Sequence, residues 1–249
     1  MKQHQPQWFT YDWQIDGDDA QFCADLSLYD FAPDLQNGVL LYINCAAKDA
    51  GKPLDAALER RAEGVLKKCL KAAIPLYAGY IRTSDAKQFY FYVPEMRYLA
   101  ALEEVAKKER GLYCRAGAQA EPEWQTYFRL LYPDAAKLQT EQNRLHIALL
   151  KKHGDNPAAA RRVRFHVFFP SEPIVKYFGE EARQKGYAVG ENAYMPELEN
   201  PYGVSLHKIA TLDKKEIDRL TTEIIRLAEN YEGMLKDWDC QLIPKKPVF

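Results

Sequence analysis

Hydrophobic residues along this chain follow two spacings that alternate in blocks. Val39-Leu40-Leu41-Tyr42-Ile43-Asn44-Cys45 is a continuous apolar, β-branched and aromatic run after the turn pair Asn37-Gly38, the pattern of a buried strand. From Leu54 to Ala73 the apolar positions Leu58, Ala62, Val65, Leu66, Cys69 and Leu70 recur every three or four residues, which predicts a helix ended by Pro75. Leu76 to Thr83 and Gln88 to Val93 read as two aromatic strands joined across Ser84-Asp85-Ala86-Lys87, a hairpin length, with Pro94 closing the second. A second helix from Glu95 to about Arg110 carries Leu99, Leu102, Val105 and Ala106 on one face, with Gly111 at its C-terminal cap. Leu112 to Ala116 completes the order strand, helix, strand, strand, helix, strand.

The same order returns near the end. In Arg162 to Phe169, Val163, Phe165, Val167 and Phe169 alternate with the other positions and are expected in a core. Ser171 is placed to cap a helix that runs to Lys185 and stops at Gly186. Tyr187 to Met195 and Gly203 to Ala210 read as strands, Asp213 caps a helix bearing Ile217, Leu220, Ile224, Ile225 and Leu227, and Met234 to Ile243 supplies a last strand. The fold class expected is α+β, two ferredoxin-like βαββαβ sandwiches in tandem. Between them lie Trp124 to Pro133 and a helix from about Asp134 to Lys152. His153-Gly154-Asp155-Asn156-Pro157 breaks that helix, so the domains are expected at 1–150 and 153–249.

Composition narrows the function classes. The 249 residues hold 34 Lys+Arg against 35 Asp+Glu, a net charge of -1, with 18 basic and 20 acidic residues in 1–150 and 16 and 15 in 151–249, so no general field attracts nucleic acid or anionic lipid. Five cysteines without a C-x-x-C spacing indicate reduced thiols rather than a disulfide framework or zinc ribbon. No apolar stretch approaches the roughly 20 residues that cross a bilayer. Met1 to Gln7 lacks the layout of a signal peptide, so the chain is expected in the cytoplasm.

No Walker loop, G-x-G-x-x-G, H-E-x-x-H, G-x-S-x-G or EF-hand loop occurs, and neither an enzyme nor a cofactor is expected. The most suggestive polar set lies in the second half. Alternation puts Arg164, His166 and Phe168 opposite the helix-covered side of one central strand, with Ser205 and His207 on the same face of its neighbour. Such a set fits an anion- or partner-binding surface, a small-ligand or enzymatic site around His166 and His207, or a solvated sheet face; a metal would need a third ligand that the sequence does not place. In the first half, Tyr42, Phe89 and Phe91 loosely match the aromatic segments of an RNA recognition motif and offer an alternative, base stacking on single-stranded RNA. Ordinary packing explains the same letters. Glu121-Pro122-Glu123 reads as the start of a helix rather than as paired catalytic carboxylates, and Trp238 as a core residue whose indole N–H is satisfied locally.

These residues also carry two resemblances. The first half resembles the domain-of-unknown-function family 695 through Gly51-Lys52-Pro53 and through Trp124-Gln125-Thr126-Tyr127-Phe128, Leu131, Tyr132 and Pro133. The second half resembles the family of regulator of ribonuclease activity B through Gly154-Asp155, Arg162-Val163, His166, Phe169, the long last helix and Trp238-Asp239. The second resemblance implies a non-enzymatic, ferredoxin-like domain that binds ribonuclease E, inhibits it and so alters RNA turnover. The first implies no activity. The expected partner is therefore a protein. Exposed strand edges in such domains can pair across a dimer, which leaves an oligomer open.

Overall fold

Phe89, Phe91 and Val93 alternate with Tyr90 and Tyr92 along one strand, and all five side chains are buried. The sheet that holds them is therefore covered on both faces. The computed structural model describes residues 5–34, 36–49, 52–73 and 75–244, in two units that divide between Pro133 and Asp134. Gly51 of the Gly51-Lys52-Pro53 motif lies outside the described residues, as do Met1 to His4.

The first unit contains β1 (Trp8–Ile15), β2 (Asp18–Asp25), β3 (Val39–Ala46), α1 (Ala56–Ala73), β4 (Leu76–Arg82), β5 (Ala86–Val93), α2 (Leu99–Lys108) and β6 (Tyr113–Ala120). They build one antiparallel sheet in the order β1-β2-β4-β5-β3-β6. α1 and α2 cover one face: Ala62, Val65, Leu66 and Cys69 of α1 and Leu102 and Val105 of α2 pack on Leu41, Ile43, Phe89 and Phe91. The β1–β2 hairpin was not among the elements expected. Its turn is Asp16-Gly17, both with positive φ (52° and 91°), which is the backbone a two-residue hairpin needs and Asp-Gly tolerates.

The other face of this sheet carries a separate aromatic core of Tyr11, Phe22, Tyr90, Tyr92, Trp124, Tyr127 and Leu131. Trp124 stacks on Tyr92 with ring centroids 3.8 Å apart, and its indole N–H donates to the Asn37 carbonyl at 2.9 Å. Glu121, almost wholly buried, organises the turn. It accepts from Tyr92 Oη at 3.0 Å, from Thr126 Oγ1 at 2.9 Å, from Gln119 Nε2 at 2.8 Å and from the Thr126 backbone N–H. Glu121 thus starts the π turn Thr126–Leu131, and its carboxylate is used up in doing so.

The second unit runs α3 (Ala135–Lys152), β7 (Arg161–Phe169), α4 (Glu172–Gln184), β8 (Ala188–Tyr194), β9 (Tyr202–Ala210), α5 (Lys214–Glu229) and β10 (Met234–Cys240), with sheet order β10-β7-β9-β8, all antiparallel. Asp213 caps α5 by accepting from the N–H groups of Lys215 and Glu216, and Gly186 ends α4 with φ +80°.

The sequence reading closed the first domain at 150, whereas α3 here belongs with the second unit. The reason is a buried polar knot. Asn143 of α3 donates to Asp218 Oδ1 and Thr221 Oγ1 of α5, both at 2.9 Å, and its Oδ1 accepts from Gln139 Nε2 at 2.9 Å and Trp238 Nε1 at 2.8 Å. Gly154 breaks α3 as expected (φ +85°), but the chain then returns into the same unit. Buried Arg161 donates to Asp155 and to the Gln241 carbonyl at 3.1 Å, while Asp155 accepts from the Ile243 N–H at 2.8 Å.

Candidate functional site

The polar set of the second unit follows from the register of three strands. Val163, Phe165, Val167 and Phe169 are fully buried on the helix side of β7, so Arg164 and His166 point the other way. Arg164 lies opposite His207, and His166 opposite Ser205. On the other flank Asp239 faces Arg164 and Asp237 faces His166. Trp238 points inward beside Phe165, which aims the two aspartates outward.

Asp239 is the centre of the cluster. Its Oδ2 accepts from Arg164 Nε and Nη2 at 3.0 and 2.9 Å and lies 2.7 Å from His166 Nε2. Asp237 Oδ1 stands 4.0 Å from the same imidazole nitrogen. Partial burial pushes the Asp239 carboxyl up, but the hydrogen bonds from His166 and Arg164 outweigh it and hold the group below the usual carboxylate range. The cluster remains accessible, since the Arg164 and Asp239 side chains are 49% and 45% exposed.

Beside it, Ser205 Oγ sits 3.3 Å from His207 Nε2, and the Nδ1 of that ring is buried without a hydrogen-bond partner. Burial, with Arg162 and Arg164 nearby, keeps the His207 pKa below its ordinary value, so the ring is neutral near pH 7. Gly190 on β8 allows this approach: a Cβ there would lie 2.3 Å from His207 Nε2 and 2.5 Å from Ser205 Oγ. The Ser205–His207 contact lacks the carboxylate that orients a catalytic imidazole, because Asp239 bonds His166 instead.

Of the residues singled out from sequence, Arg164, His166, Ser205 and His207 share this face. Phe168 is different. It is 3% exposed, with Gly203 against its ring and the Lys236 ammonium 5.4 Å from its centroid, so it packs rather than presents a contact. Asp237 was not singled out, and Asp239 entered only through the resemblance carried by Trp238-Asp239, not as a site residue. The inward Trp238 carried the signal, since its two neighbours two apart in alternation must face out.

The RNA-stacking alternative is corrected by the first sheet. Phe89 and Phe91 are fully buried beneath α1 and α2, while Tyr42 pairs with Tyr90 on the opposite face. Three rings on two covered faces form no stacking platform. Among the described residues no group of three or more His, Cys, Asp or Glu is arranged to hold a metal ion, and no helix is long and apolar enough to cross a membrane.

The chain is thus an α+β protein with two sheet-containing units, one bearing an exposed Arg–Asp–His cluster. Residues 6–132 match the Family of unknown function (DUF695), and the chain belongs to that family. Residues 140–240 match the model Regulator of ribonuclease activity B. No curated protein matches the chain. Among solved structures, an unknown protein from Galdieria sulphuraria is 12% identical, covers 83% of this chain and 99% of its own, and has a TM-score of 0.23. A provisionally assigned glycine cleavage system transcriptional repressor is 10% identical, with 82% and 98% covered and a TM-score of 0.22. Superpositions this loose carry no argument about function.

Proposed function

We propose that this chain is a non-enzymatic, protein-binding regulator of ribonuclease activity, that ribonuclease E is the enzyme it inhibits, and that the face around Arg164, His166, Ser205 and His207 is its contact surface. The carrying observation is that the match to Regulator of ribonuclease activity B, 140–240, spans β7, β9 and β10, the three strands bearing the cluster. A mixed-charge array of Arg164, Asp237 and Asp239 beside two imidazoles suits a polar protein surface, where complementary charges set register and partner choice. Asp239 joins the surface as the residue that orients Arg164 and His166.

Both units are read as ferredoxin-like. The orders β10-β7-β9-β8 and β6-β3-β5-β4 support this, with β1 and β2 extending the first sheet. Five reduced cysteines support a cytoplasmic setting.

The test is calorimetric titration of the full chain with the C-terminal region of ribonuclease E and, separately, with single-stranded RNA. Saturable binding to the protein, lost in a folded variant with Arg164, His166 and His207 all replaced by Ala, is the expected outcome. Binding to RNA alone, or unchanged affinity in the triple variant, overturns the reading.

A further inference from the structure

Cys45 on β3 and Cys114 on β6 are directly opposed in the antiparallel ladder. Opposed residues in such a ladder hold their Cα atoms about 4.5–5.5 Å apart, inside the roughly 4.4–6.8 Å that a disulfide spans. The two sulfurs lie 3.5 Å apart, with the Cys114 thiol donating to Cys45. Bond formation therefore asks for side-chain rotation and no backbone movement.

The surroundings of the two thiols differ in a useful way. Cys45 is fully buried in the core under α1 and α2. β6 is the edge strand of the sheet, and Cys114 is partly exposed on it. When Cys114 ionises, the Cys45 thiol turns to donate to it; this outweighs burial and the nearby Glu109, Lys68 adds to it, and the Cys114 pKa falls below its ordinary value. The same bond and burial push the Cys45 thiol up. Cys69 is pushed up to about 12 and Cys23 is raised, both by burial, while Cys240 belongs to the other unit.

We propose that Cys45 and Cys114 are a reversible modification site, oxidised to a cross-strand disulfide by small disulfides of the glutathione type. The Cys114 thiolate attacks one sulfur of the oxidant; a mixed disulfide forms, the oxidant's S–S bond breaks, and the departing thiolate takes a proton. Cys45 no longer faces a negative sulfur, so it can lose its proton and attack Cys114, expelling the second small thiol. The balance is one protein dithiol and one small disulfide giving one protein disulfide and two small thiols. The bond ties the edge strand β6 covalently to β3. This site is independent of the ribonuclease reading and lies in the unit to which no activity is assigned.

The test uses the folded, reduced full chain treated with oxidised glutathione, followed by intact mass and non-reducing peptide mapping. The expected product has lost two hydrogens and contains a Cys45–Cys114 peptide pair, which dithiothreitol reverses. Limited alkylation of the reduced protein is expected to label Cys114 before Cys45, Cys69 and Cys23. In Cys45→Ser the reaction is expected to stop at glutathionylated Cys114. A stable mixed disulfide on wild-type Cys114, a pair involving Cys69, or no change in thiol content would each overturn the proposal; none of these readings depends on a variant folding.

Discussion

The indole N–H of Trp238 donates to Asn143 Oδ1 at 2.8 Å, joining the last strand to a helix 95 residues earlier. Removing the amide strands the indole donor and the Gln139 amide in the interior, and takes a donor from buried Thr221 and from the partly exposed Asp218. Asn143→Ala is expected to cost roughly 2–4 kcal/mol, several unmet buried polar groups at ~1 kcal/mol or more each. Trp238→Phe removes one donor and leaves the ring volume largely filled. A double-mutant cycle by urea unfolding is expected to give a coupling energy of about 0.5–3 kcal/mol, whereas additive losses would show that the bond carries no stability.

Gly190 is a second point of sensitivity. Gly190→Ala places a methyl against the His207 ring and the Ser205 hydroxyl, so these side chains must give up their contact or β8 must shift to admit it. The expected loss is about 1–3 kcal/mol. Hydrogen exchange should rise at β8 and β9 amides before it rises in the first unit.

Acid should weaken the second unit in two stages. His207 has its folded pKa below the ordinary 6.5, mainly through burial, and so does His146, whose ring lies on Trp238. The unfolded chain therefore takes up these protons first, so stability is full above about pH 6.5 and declines as the pH falls below it. Asp155 and Asp239 have folded values below the ordinary 3.8, held down by their hydrogen bonds against burial, and their contributions are lost at still lower pH. Urea midpoints from pH 7.5 to 4 should show the first decline, and His146→Phe should flatten part of it.

In the first unit, Tyr92 Oη donates to Glu121 and accepts from the Tyr127 N–H at 3.2 Å. Tyr92→Phe is expected to cost about 1–2 kcal/mol by leaving that N–H unmet, while Trp124→Ala, which empties the stack, should cost about 3–5 kcal/mol. Denaturant unfolding followed by far-ultraviolet circular dichroism checks the first.

Asp239→Asn tests the exposed cluster. Since Arg164 and Asp239 are about half exposed, its stability cost is expected to stay under ~1 kcal/mol. Its effect belongs to binding, where Arg164 loses its orienting carboxylate. A fall in affinity for the ribonuclease segment with an unchanged urea midpoint is the expected pair of results.

Most elements were legible because their spacing is local. The helices at Ala56–Ala73 and Lys214–Glu229 and the strand Arg161–Phe169 follow from apolar positions three, four or two residues apart. The β1–β2 hairpin was missed although Asp16-Gly17 marks it and Phe9, Tyr11, Trp13 and Ile15 alternate regularly with exposed positions along β1; only β2, buried at every position from Phe22 to Asp25, lacks that alternation. The face shared by Arg164, His166, Ser205 and His207 was also readable, since alternation decides which side of a strand a residue occupies. Asp239 at Arg164 was not, because a register shift between Leu235 and Asp237 sets how β10 meets β7.

By itself the sequence determined two repeated strand–helix orders, the inward and outward faces of each element, and the absence of a strong net charge. Only the tertiary structure decided that α3 belongs to the second unit, that Phe89 and Phe91 are sealed while Tyr42 faces the other way, and that Cys45 meets Cys114. Periodicity is a property of neighbours along the chain, whereas covering a second sheet face, pairing Asn143 with Trp238 and setting ladder register depend on residues far apart, whose contacts no local pattern encodes.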